Sequence, residues 1–205
     1  GHVVWVAIAD VAAYVIPGSA LDTEARQRGN STYFPDRVVP MLPDGLSGDL
    51  CSLHCDVDRA CMAVRMVLAA DGTKISHRFT RGLMRSRASL SYEQAQAAID
   101  GEANPATDDL LDPVLRPLWA AYRALVQARE ARQPLALELP ERRIELDKAG
   151  QVTSVAFRER FDAHKLIEEC MVLANVAAAE TLVEKKSPLL FRVHEEPSVE
   201  KMETL

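Results

Sequence analysis

Residues 60–87 read ACMAVRMVLAADGTKISHRFTRGLMRSR, and the fold class turns on them. Ala60–Ala70 and Thr73–Arg87 are two apolar-rich runs joined by Asp71-Gly72. That dipeptide suits a type I′ hairpin turn, in which both central residues take positive φ. A long antiparallel hairpin is predicted, its side chains alternating between two faces.

Upstream of the hairpin, Val3–Ala9 (VVWVAIA) is a β-branched apolar run of strand length, bounded by Asp10 and the Pro17-Gly18 turn signal, and reads as a buried strand. Ala20–Arg28 turns helical and charged, and Gly29-Asn30 stops it as a C-terminal cap pair would. From Ser31 to Leu53, Pro35, Pro40, Pro43 and the glycines around them predict a long ordered loop without regular structure.

Downstream, Ser91 with Gln94 forms a capping box that opens a helix running to about Ile99, and Leu110–Ala131 continues with apolar residues at helical spacing. Ala136–Leu146 and Val152–Phe157 flank Asp147-Lys148-Ala149-Gly150 as strand, turn and strand. Arg160–Glu184 is predicted as the longest helix, Leu189–Val193 as a strand, and Pro197 as the first turn of a last helix still running at Leu205. The class is α+β: a mixed, mostly antiparallel sheet packed with helices, in one unit.

Composition narrows the function. The 205 residues bury one good-sized core, and 48% apolar with 26% charged residues is a globular balance. No apolar run approaches the roughly 18–20 residues that span a bilayer, and no basic-then-apolar leader opens the chain, so no membrane and a cytoplasmic setting are expected. Gly1 in place of Met suggests processing or a cut, and a helix running uncapped to Leu205 suggests the same at the other end. The net charge of −6 argues against a simple nucleic-acid binder, so any such binding needs a local patch.

One patch is present. His77, Arg78, Arg81, Arg85 and Arg87 crowd together, and on a strand Arg81, Arg85 and Arg87 share a face. Guanidinium groups followed by Tyr92 suit single-stranded nucleic acid, the bland alternative being a solvated sheet face. Cys51, His54 and Cys55, with Cys61, offer soft zinc ligands, but the separated second dyad of a zinc site is missing, and the thiols, Cys170 included, read as reduced and incidental. Glu168 and Glu169 stand before Asn175 on a helix; either faces a ligand, or one is exposed and the other caps or pairs with a neighbouring Arg. Asp10, Asp22 and Asp36 carry no metal spacing, and no phosphate-cradling loop or nucleophile elbow occurs.

Several stretches closely resemble the RNB catalytic domain of the ribonuclease II, ribonuclease R and Dis3 exoribonucleases. They are VAIADVAAYVIPGSALDTEARQRGNSTYFPDRVVPMLPDGLSGDLCSL (6–53), CDVDRACMAV (55–64), ASLSYEQAQ (88–96), FDAHKLIEECMVLANVAAAETL (161–182) and LLFRVHEEPSVEKMETL (189–205). The resemblance spans nearly the whole chain. It implies a partial RNB domain over residues 1–205, from a processive 3′→5′ exoribonuclease that hydrolyses single-stranded RNA to nucleoside 5′-monophosphates. It also implies Mg²⁺ held by an Asp cluster, with metals activating water and stabilising the leaving oxygen. That D-x-D-D-like cluster is expected upstream of this chain, and a Ser-Pro-Ile-Arg-like segment contacting the scissile phosphate beyond Leu205. The chain therefore holds no catalytic residue and no metal ligand, and is expected to be silent alone.

What the resemblance assigns to the chain is a grip on RNA. Tyr33 in NSTYFP resembles an aromatic that stacks on a base. Tyr92 in LSYEQ, with Glu168 or Glu169, resembles groups that contact ribose hydroxyls near the 3′ end; helix geometry allows one Glu to do so, and Glu168 is preferred. Leu137, in ARQPLALELPE, takes the position of a base-clamping Phe, so an apolar wall replaces one half of an aromatic clamp. Arg85 and Arg87, from the basic stripe and not from the resemblance, are added as expected RNA contacts. Asp10 resembles an acidic position beside the active site, but is expected to cap the turn after it. The implied partner is single-stranded RNA, with no small-molecule cofactor and oligomeric state open. A non-catalytic RNA-binding or scaffold module is the rival, and a small zinc protein a third reading.

Overall fold

The computed structural model describes residues 1–102, 104–131, 142–157, 159–191, 198 and 200–201. Its centre is a three-stranded antiparallel sheet in the order β1 (His2–Ala9), β4 (Asp58–Leu68), β5 (Lys74–Arg85). The predicted hairpin is β4–β5, and the β-branched opening run lies along its β4 side. Register puts Val4 opposite Met66 and Met66 opposite His77, so period two sends Val4, Val64, Met66 and Leu68 to one face.

Two helices cover that face. α4 (Arg116–Glu130) contributes Trp119, Tyr122 and Leu125, and α5 (Asp162–Glu184) contributes Ala163, Leu166, Cys170 and Ala177. Met66 and Leu68 are fully buried there, each worth about 1.5–3 kcal/mol in side-chain burial. A polar latch fastens β5 to the far end of α5. Thr181 donates its hydroxyl proton to Ala177 O (2.9 Å) and so accepts from His77 Nε2 (2.7 Å), while Lys74 reaches His77 Nδ1 (3.2 Å) and the Glu180 carboxylate.

Three local expectations are corrected. β1 is an edge strand among the described residues and buried on one face only in part: Val4 is buried, whereas Val3 and Trp5 on the other face are 51% and 60% exposed, and Ile8, on the face of Val4, is 59% exposed. The hairpin is also not closed by a type I′ turn. Among the described non-glycine residues only Asp56 and Lys186 have positive φ, so Asp71 does not; Gly72 alone does (φ 83°). Ala69 N–H donates to Thr73 O (2.9 Å), Gly72 N–H to Ala69 O (3.2 Å), and Asp71 Oδ1 accepts from Thr73 N–H (3.0 Å). These bonds close a three-residue loop whose αL position falls to Gly72. Third, the helix read over Leu110–Ala131 is divided. A single turn, α3 (Asp108–Leu110), and a wide π-type turn (Leu111–Leu115) precede α4, because Pro113 and Pro117 lack N–H donors and crowd the preceding turn.

The other elements follow their local sequence. α1 (Ala20–Arg28) is capped by the Ser19 side chain and ends at Gly29 with φ 75°. α2 (Tyr92–Asp100) opens on the Ser91–Gln94 capping box, both bonds of which are present. Residues 31–53, expected to lack regular structure, are loop except that the two-residue strands β2 (Thr32–Tyr33) and β3 (Val38–Val39) pair and a wide helical turn forms at Gly45–Leu50, which corrects that expectation in part. β6 (Arg142–Leu146) pairs with β7 (Val152–Phe157) across a turn in which Gly150 N–H donates to Asp147 O (3.0 Å). Residues 136–141 of the longer predicted strand lie outside the described residues. Of the strand predicted at Leu189–Val193, residues 189–191 are not in a strand and 192–193 lie outside the described residues, as does Pro197. Among the described residues no helix is long and apolar enough to cross a membrane.

Candidate nucleic-acid interface

The starts of α2 and α5 bring two of the sequence-derived residues, Tyr92 and Glu168, to one side of the molecule. The capping box fixes Tyr92 as the first residue of α2, and Gln96 of that helix accepts Ala163 N–H (3.1 Å), tying α2 to the head of α5. The Tyr92 ring lies flat on His164, centroids 3.9 Å apart and planes 19° apart, and His164 stacks in turn on Phe161 (5.7 Å, 23°). His164 Nδ1 accepts the N–H of Phe161 (3.2 Å), satisfying one of the donors that a helix start leaves free.

Glu168 stands four residues after His164 and so shares its face of α5. Its side chain is 45% exposed and paired with Arg160. Glu169 points the other way: its side chain is 7% exposed and bound by Arg129 of α4 at 2.7 Å. One carboxylate is thus within reach of solvent on the Tyr92–His164 side, and the other is a buried tie between helices. Tyr33 stands elsewhere, on the β2–β3 ribbon, 77% exposed, next to Phe34, whose ring is covered by the Arg37 guanidinium at 5.1 Å. An exposed aromatic on a short ribbon is a flat surface for any base. Leu137 lies outside the described residues.

The basic stripe is largely neutralised. Arg85 makes a bidentate pair with Asp58 across the hairpin (2.7 and 3.0 Å), and Arg87 lies 3.9 Å from Asp56. Arg81 Nε donates to Asp10 Oδ2 at 2.5 Å. Asp10 occupies the cap position of the turn Val11–Ala13 without a full side-chain capping bond; Ala13 N–H exerts only the smallest pull on its carboxylate and Arg81 the largest, which corrects the expectation that capping is its main work. It is buried, and the hydrogen bond from Arg81 holds its carboxyl below the usual aspartate range against the opposing effect of burial. Exposed guanidiniums sharing a neighbour's carboxylate can exchange it for a phosphate, whereas a buried aspartate so occupied is not free for a metal.

Among the described residues no set of groups suits a metal ion. His54 Nε2 is engaged with Gly48 O (3.1 Å), the Cys55 thiol donates to Asp56 (3.6 Å), and Cys61 is buried. Among the described residues no three His, Cys, Asp or Glu side chains are placed to hold a metal. Neither zinc nor magnesium fits the described residues.

Sequence reasoning passed over His164, Arg129 and Arg160. The signal for His164 was available: it follows Phe161 by three residues at the start of a helix, the spacing at which a side chain reaches back to the cap backbone. The two arginines carry no local signal, since their partners are set by helix packing and by a reach of eight residues.

Comparison with known proteins places this geometry. The RNB domain profile matches residues 1–205. Ribonuclease R of Vibrio parahaemolyticus is 42% identical over 200 residues, covering 96% of this chain and 24% of that protein. The chain thus spans about a quarter of that relative's length. The solved structure of Mycoplasma genitalium RNase R in complex with ribose methylated single-stranded RNA superposes with TM-score 0.92 at 30% identity, over 98% of this chain and 32% of that one. Yeast Ssd1, described as a pseudonuclease, superposes at TM-score 0.66 and 21% identity over 92% of this chain and 22% of that one, a likeness of fold alone. The chain belongs to the RNB domain family.

Proposed function

We propose that this chain is the RNA-gripping portion of a ribonuclease R-type exoribonuclease. In that protein, single-stranded RNA is hydrolysed processively from its 3′ end to nucleoside 5′-monophosphates, with Mg²⁺ held by carboxylates outside these residues. The observation that carries the reading is Tyr92 held flat on His164, with the half-exposed Glu168 one turn further along the His164 face of α5. A phenol hydroxyl and a carboxylate together can bond the 2′- and 3′-hydroxyls of a ribose, the groups that separate RNA from DNA. In this reading Glu168, not Glu169, is the ribose partner: both pair with an arginine, but Glu168 is half exposed whereas Glu169 is buried.

The remaining groups take complementary parts. Tyr33 stacks on a base without regard to sequence, and Leu137 supplies an apolar wall. Arg85 and Arg87 trade aspartate for phosphate, so their contribution falls as salt rises. The chain's own work is binding and orientation: it sets the sugar and backbone of the last nucleotides so that chemistry supplied elsewhere meets one phosphodiester. A cytoplasmic setting belongs to the same reading. Support comes from the ribonuclease R relatives and from the RNA complexes of the Mycoplasma genitalium enzyme, one with double-stranded RNA.

A non-catalytic RNA-binding module is the second reading, favoured by the absence of a metal-holding set among the described residues. The two separate on a 5′-labelled single-stranded RNA with Mg²⁺, comparing this chain with the full-length natural protein. Stepwise 3′ shortening by the full-length protein and none by the chain is the expected result. Binding without shortening by either establishes the module.

A further inference from the structure

The ring pair at the head of α5 leaves one atom unexplained. His164 Nε2 is buried and has no hydrogen-bond partner, while Nδ1 accepts from Phe161 N–H. Accepting at Nδ1 requires a lone pair there, so the neutral ring carries its proton on Nε2, a donor turned into the protein with nothing to bond. A buried unpaired donor is unfavourable, and a phenylalanine at this place would avoid it. The histidine gives two things in return: an acceptor for the helix start and a flat face 3.9 Å from the ring of Tyr92. Tyr92 itself is only partly buried, so its backbone is set by the capping box while its ring is set chiefly by what it lies on.

We propose that His164 is a positioning residue for ribose recognition. By stacking it holds the Tyr92 ring in one orientation, so that the hydroxyl is presented beside the carboxylate of Glu168, one helical turn along the same face. His164 does not touch RNA; its free nitrogen is buried, and it acts through Tyr92. The proposal rests on the reading of Tyr92 as a ribose contact.

The test uses the full-length natural protein and one RNA oligonucleotide made with either ribose or 2′-deoxyribose at its last nucleotides, the readout being the ratio of the two kcat/KM values. Tyr92→Phe examines the underlying reading and lowers the ratio if that reading is right. His164→Asn keeps an acceptor near Phe161 N–H but removes the ring, and is expected to lower the ratio by about three- to tenfold, the size of one aromatic pair. His164→Phe keeps a ring against Tyr92 and is expected to retain most of the ratio. A ratio unchanged in His164→Asn but lowered in Tyr92→Phe overturns the positioning role alone, and a ratio kept in His164→Asn but lost in His164→Phe shows that the Nδ1 cap, not the stack, matters. An unchanged ratio in Tyr92→Phe sinks the ribose reading instead. Should His164→Asn fail to fold, the Tyr92 ring-proton shifts of the unmodified protein decide, with Tyr92→Phe assigning the signal: shifts displaced by a neighbouring ring support the stack, and random-coil values overturn it.

Discussion

Two adjacent glutamates show how much one residue's direction decides. Glu168 and Glu169 are chemically identical, yet successive positions on a helix are turned apart by about 100°. One reaches solvent beside Arg160, and the other ends on Arg129 between α4 and α5. Glu169→Gln is expected to lower stability by about 1–3 kcal/mol in urea unfolding, because it weakens a buried charge-assisted bond. Glu168→Gln is expected to change stability by less than about 0.5 kcal/mol while weakening single-stranded RNA binding by the full-length protein. Equal stability losses would place both glutamates in the scaffold.

Asp10 gives a prediction of opposite character, since its pairing with Arg81 is structural. The folded carboxyl titrates below the ordinary 3.8 because Arg81 bonds its ionised form. A depressed folded pKa means that the stabilisation is present in full above the unfolded value, and is lost as pH falls from there through the folded value. Stability measured against pH should therefore fall less steeply below pH 3.8 in Asp10→Asn than in the unaltered chain. Identical slopes would mean that the pair does not form in solution.

At the scale of elements, the β4–β5 hairpin is held at its tip as well as along its strands. Gly72 has φ 83°, and a Cβ built there would lie 2.1 Å from Ala124 O on α4. Gly72→Ala meets backbone strain and a backbone clash together, and is expected to cost about 2 kcal/mol or more in urea unfolding. A cost below about 0.5 kcal/mol would show that the tip does not pack on α4.

The same hairpin marks where the sequence stopped being informative. Its two strands and the place of its turn were legible from period-two patterning and from Asp71-Gly72. The turn type was not, because the contact with α4 lies about fifty residues away in sequence. α1, α2 and α5 were legible to within about two residues, their caps being written locally in Ser19, Ser91, Gly29 and Gly101. The divided helix before α4 was missed by weighing apolar spacing above Pro113 and Pro117.

Across the whole molecule, local signals gave the elements and their class, while strand order and charge partners came only with the fold. The opening run was readable as a strand but not as an edge, since nothing within Val3–Ala9 records that β4 pairs with it on one side only. The basic stripe was readable as charge but not as three separate pairs with Asp10, Asp56 and Asp58. Tyr92, Glu168 and Tyr33 entered through family resemblance. Geometry then added the stack beneath Tyr92 and the separation of the two glutamates.

The most direct test of this account is photocrosslinking. Full-length natural protein in chelator is bound to single-stranded RNA carrying a photoreactive 3′-terminal nucleotide, and the attachment sites are mapped by mass spectrometry. The account predicts attachment at Tyr92 and the head of α5 near Glu168, with sites moving toward Tyr33 as the photoreactive nucleotide is moved upstream. Attachment confined to the outer face of β1 or to regions outside this chain would contradict it.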